Sequence, residues 1–130
     1  MTTARKQPQD RKPKATESKA KAVETTAPFR ISTAYELRET EGWQVEVDGV
    51  EVFLPKAALR DDRAARIMGK AQAGDEKAIA QYRLVTERML GEEQYDRIQD
   101  AFEDPETGWV DTERVTNFVA EVIKAANPNG

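Results

Sequence analysis

Glu92 and Glu93 stand side by side in the stretch ERMLGEEQYDRI, where a carboxylate pair could serve as general acid and base. Adjacent residues of a helix project about 100° apart, so these two carboxyls diverge instead of sharing a proton. Acids in a first helical turn interact well with the N-terminal dipole, which makes a structural role for the pair the better reading. The chain contains no Cys and no His. That removes thiol nucleophiles, disulfides, the usual structural zinc sites and imidazole catalysis together. The acidic stretch DPETGWVDTE has the composition of a calcium loop but fails its register. Counting from Asp104, the sixth position is Trp109 where glycine is needed, and the twelfth is Val115 where glutamate is needed. The seven glycines are scattered singly, so no phosphate-cradling loop exists. The expectation is a chain that is no enzyme and carries no metal or cofactor.

The same stretch also has the outline of a helix-turn-helix, with Gly91 between two helical runs. A recognition helix must lie beside phosphates, yet this one would carry Glu92, Glu93, Asp96, Asp100, Glu103 and Asp104 against Arg97 alone. DNA reading by this pair is therefore not expected.

The elements around it follow from period and punctuation. Residues 1–28 hold three of the six prolines and seven basic groups against three acidic ones, a net +4. With Val23 as the only sizeable apolar residue after Met1, the segment reads as a disordered basic tail. Without aromatic residues to stack on bases, it fits a solubilising tether better than a nucleic-acid arm. The remaining 102 residues carry 13 basic and 21 acidic groups, a net −8. The longest apolar run is three residues, as in Val52–Leu54, which excludes a membrane-spanning helix.

Within this body, Thr33 and Glu36 fit a capping box and Gly42 a helix stop, predicting a helix over about 34–41. WQVEVDGVEVFLP then predicts a hairpin over about 43–54, turning at Asp48-Gly49 and pairing 47 with 50, 45 with 52 and 43 with 54. One face is apolar and must be buried, while the face carrying Glu46 and Glu51 is expected in water. Helices follow at about 62–73, 76–90, 92–103 and 112–126, with Asp61 or Asp62, Asp75 and Asp111 as caps and Gly74 and Gly91 as stops. The expected fold is mainly α within the α+β class: one domain over 29–130, a small bundle of four to five short helices with one N-terminal hairpin. Two apolar stripes stand out, Tyr95, Ile98 and Phe102, and Val115, Phe118, Val119 and Val122. Such stripes are usually core. Any part left uncovered would be a surface for a protein partner, so these seven residues are the protein-binding candidates.

The order of these features resembles the tail assembly chaperones of long-tailed phages that infect actinobacteria. The resemblance spans about residues 29–126 and is carried by Leu90-Gly91-Glu92-Glu93-Gln94-Tyr95 and by the hairpin Val45 to Pro55. It implies a non-enzymatic protein that binds the long, largely helical tape measure protein and keeps it soluble until tail tube subunits replace it. It further implies action in the host cytoplasm, absence from the mature virion, and a longer partner form made by ribosomal frameshifting, for which the end at Asn127-Pro128-Asn129-Gly130 would suit the shorter product. Self-association is compatible with it, and the family offers no catalytic residues to carry over. Two other readings remain: a small nucleic-acid-associated regulator acting through the basic tail, and a structural tail subunit.

Overall fold

The computed structural model describes residues 20–126. Three antiparallel strands, β1 (Ala20–Phe29), β2 (Arg38–Val47) and β3 (Val50–Pro55), form one sheet in the order β1-β2-β3. Five helices follow: α1 (Lys56–Leu59), α2 (Asp62–Gln72), α3 (Glu76–Leu90), α4 (Glu92–Ala101) and α5 (Thr112–Ala126). The domain is therefore a small α+β unit. No described helix is long and apolar enough to cross a membrane.

The β2–β3 hairpin has the expected register, with Val47 opposite Val50, Val45 opposite Val52 and Trp43 opposite Leu54. Asp48 and Gly49 both have positive φ, 52° and 84°, as a two-residue type I′ loop requires. Of the helices after α1, α2, α3 and α5 each start on an aspartate suited to the orphan N–H groups, while α4 starts at Gly91 without a side-chain cap. The Asp61 carboxylate accepts from Ala64 N, Asp75 from Lys77 N and Ala78 N, and Asp111 from Glu113 N. The core joins Val45, Val52 and Leu54 of the hairpin to Met89, Leu90, Tyr95 and Ile98, and to the inner side of α5. The last of these, α5, lies against all three strands. Phe102 meets Phe118 edge-on, with ring centroids 5.2 Å apart.

Three expectations are corrected. Residues 34–41 are not a helix. Ser32 turns the chain, its Oγ accepting from Ala34 N and its carbonyl from Tyr35 N, and strand begins at Arg38. Tyr35 and Leu37 are both more than half exposed, so neither anchors this segment to the core. An isolated helix of eight residues is marginal in water, and the ten-residue ladder with β1 prevails.

The second correction concerns the tail. Residues 20–28, read as disordered, belong to β1 and pair from Ala20 opposite Val47 to Phe29 opposite Arg38. Composition misled because this strand is held by its ladder and by the small, half-buried Ala20 and Ala22, with few large apolar groups of its own. The rest of the predicted tail, residues 1–19, lies outside the described residues.

Third, the second face of the hairpin is only partly left to water: Glu51 is exposed as expected, but the face is covered at Phe53. Phe53 is buried there against Phe29, with ring centroids 6.2 Å apart. Its ring occupies the space over Gly42, where a Cβ would come within 2.7 Å of it and 2.3 Å of the Leu54 carbonyl.

Candidate functional site

The two apolar stripes are core. Tyr95, Ile98, Val115, Phe118, Val119 and Val122 are each buried, and Phe102 is half-buried against Phe118. Their place as protein-binding candidates is corrected: the sheet and the facing helices cover them, and none of the six buried residues is open to a partner in this fold. Sequence periodicity identifies a buried stripe but not which element covers it.

The carboxylate pair is split by its surroundings. Glu93 makes a bidentate ion pair with Arg30, with Oε1 3.2 Å from Nε and Oε2 2.8 Å from the terminal nitrogen. That pairing holds the Glu93 carboxyl below, and the Arg30 guanidinium above, their ordinary values. Glu92 instead offers its backbone N–H to the Ile31 carbonyl at 2.8 Å. The start of α4 thus pins the β1–β2 connection. Beyond the other end of α4, the Asp104 carboxylate is occupied by Glu106 N and Thr107 N, closing the 104–110 turn. Among the described residues no three acidic groups come together in a way that could hold a metal ion.

What the fold leaves open is an apolar groove of about 400 Å³, running between α2 and α3 and floored by the end of the sheet. Phe29, Ile31 and Pro55 form one wall, Ala57 and Ala58 of α1 one end, and Ile67, Leu84, Val85 and Met89 the helical side. Leu84 is 60% exposed and Ile79, further along α3, 53%. Both lie outside the core although they sit in a helix whose Ala78, Thr86, Met89 and Leu90 are buried.

The pinned connection shapes this groove. Phe29 and Ile31 flank Arg30, so the Arg30–Glu93 pair and the Glu92–Ile31 hydrogen bond hold two wall residues in place. Gly91 lets the connection come this close: it has φ 86°, and a Cβ there would sit 2.8 Å from the Arg30 carbonyl.

Sequence reasoning missed the groove because its apolar lining is drawn from four separated segments, with two or three apolar residues from each. Leu84 gives a signal, since it is apolar yet falls off the helical spacing of Tyr82, Val85 and Met89 in the same helix. A comparison with protein families, curated proteins and solved structures finds no match to this chain in any of the three.

Proposed function

We propose that this chain is a non-enzymatic tail assembly chaperone that binds the tape measure protein and keeps it soluble while a phage tail is built. The observation that carries the reading is the α2–α3 groove: an open apolar concavity bordered by the exposed Leu84, on a domain whose described residues carry 14 basic and 22 acidic groups. A holding protein needs those two properties together. The apolar surface captures an exposed helix of the client, and the charge keeps the complex in solution. Catalysis has no part in such a role. The resemblance carried by Leu90 to Tyr95 and by the hairpin points to the same client. On this reading the protein acts in the host cytoplasm and is absent from finished particles.

Co-expression tests it. The tape measure protein should be recovered in the soluble fraction with the chaperone and should aggregate without it. A Leu84→Asp chaperone, altered only at an exposed position, should lose most of this rescue while remaining folded. Equal solubility of the tape measure protein alone would defeat the reading.

A further inference from the structure

On the α2 side the groove opens onto a second, smaller concavity of about 290 Å³, and the two share Arg63, Ile67 and Gln81. Around this ledge stand Arg63, Arg66, Lys70 and Lys77, all exposed, with Asp75 as the single acid. The Asp75 carboxylate is turned onto the start of α3, accepting from Lys77 N at 2.9 Å and Ala78 N at 3.2 Å. Among the described residues, none of the four cations is within 4 Å of a carboxylate, whereas Arg30 and Lys56 both are. This is a cationic border on a domain whose described residues total −8.

From this juxtaposition we propose that the groove takes an amphipathic helix of the client whose apolar stripe is flanked by Asp or Glu on the side facing Arg63, Arg66, Lys70 and Lys77. The proposal rests on the groove being the client site and adds which helices it selects. Apolar anchors at i, i+3, i+4 and i+7 fill the groove between Phe29 on one wall and Ile67 and Leu84 on the helical side, and carboxylates on the adjoining stripe meet the four cations. The 15-residue α3 is about 22 Å long at 1.5 Å per residue, enough to align with three to four turns of such a helix. Rim charges of this kind set orientation and partner choice more than affinity, so the ledge discriminates among equally apolar helices. The chain's own residues 1–19 carry six basic groups against two acidic ones and share the sign of the ledge, which disfavours them as the occupant.

Two synthetic helical peptides with one apolar face, flanked by Glu in one and by Lys in the other, test this with the full chain by fluorescence anisotropy. The Glu-flanked peptide should bind more tightly, by about five- to tenfold at low salt, with the gap shrinking as salt rises. The double charge reversal Arg66→Glu and Lys70→Glu, at exposed positions, should invert that preference, and Leu84→Asp should weaken both peptides. Equal binding of the two peptides, with Leu84→Asp still weakening both, would overturn the charge selection and leave the groove reading intact. Binding of both unaffected by Leu84→Asp would overturn the groove reading as well. A dimer by sedimentation that Leu84→Asp dissociates would assign the groove to a second copy and overturn the proposal. So would a charge reversal that abolishes binding of a single-stranded oligonucleotide while leaving the peptide preference unchanged.

Discussion

The Gln94 side-chain amide pairs with the backbone of Phe53 as a neighbouring strand would. Its Oε1 accepts from Phe53 N at 2.7 Å and its Nε2 donates to Phe53 O at 2.7 Å, with a further bond to Leu90 O at 2.6 Å. The strand β3 lies at one edge of the sheet, where unpaired backbone groups invite pairing with other chains. One residue of α4 thereby caps that edge at Phe53, and Pro55 brings no N–H to it. Gln94→Ala would strip both partners from a buried residue. The expected loss is about 2–6 kcal/mol, from one to three for each of the two groups left unpaired. Chemical denaturation measures it, and unchanged stability would show that water replaces the amide.

Gly91 joins α3 to α4 where the β1–β2 connection crosses. Gly91→Ala must accept a left-handed backbone and a close approach to the Arg30 carbonyl together. We expect about 1–3 kcal/mol of destabilisation from the backbone alone. Because Phe29 and Ile31 line the groove beside that contact, client capture should weaken as well. A thermal melt and a binding titration on the same variant separate the two effects.

Phe118 and Leu84 make opposite predictions although both are apolar residues on helices. Phe118→Ala opens the centre of the core and should cost about 3–5 kcal/mol. Leu84→Asp changes an exposed side chain and should stay within about 0.5 kcal/mol of the parent. Loss of client binding should follow Leu84→Asp in a folded protein. A melting temperature that falls as far for Leu84→Asp as for Phe118→Ala would contradict this assignment.

The tyrosines predict an alkaline limit. Burial raises the Tyr95 phenol, against opposing influences from the Thr86 hydroxyl and the Arg83 charge. Tyr82 is raised by burial and then by Tyr95. A phenol whose folded pKa lies above its unfolded value, about 10, contributes stability that is complete below that value. It is lost as pH rises through the folded pKa. Urea midpoints should therefore fall from about pH 10 upward, and Tyr95→Phe should flatten that decline. Midpoints that keep the same slope in Tyr95→Phe would show that other groups set the limit.

Much of this fold is written locally. Asp48-Gly49 specifies a turn and hence the register of β2 and β3. Asp61 and Asp75 mark helix starts by the bonds they make. β1 is different: Lys21, Glu24, Ala27 and Pro28 carry little strand signal, and their strand exists because β2 offers a ladder. The same non-local pairing made strand of Arg38–Glu41, the second half of the expected capped helix. The groove was hidden for a related reason. Phe29, Pro55, Ile67 and Leu84 become neighbours only after the sheet and helices pack, and no stretch of chain announces their meeting.

The most direct measurement is the soluble fraction of the tape measure protein when co-expressed with the full chain or with its Leu84→Asp variant. The proposed role predicts abundant soluble client with the parent chain and little with the variant, at equal levels of folded protein. Equal amounts of soluble client in the two, or a client that is soluble alone, would contradict it.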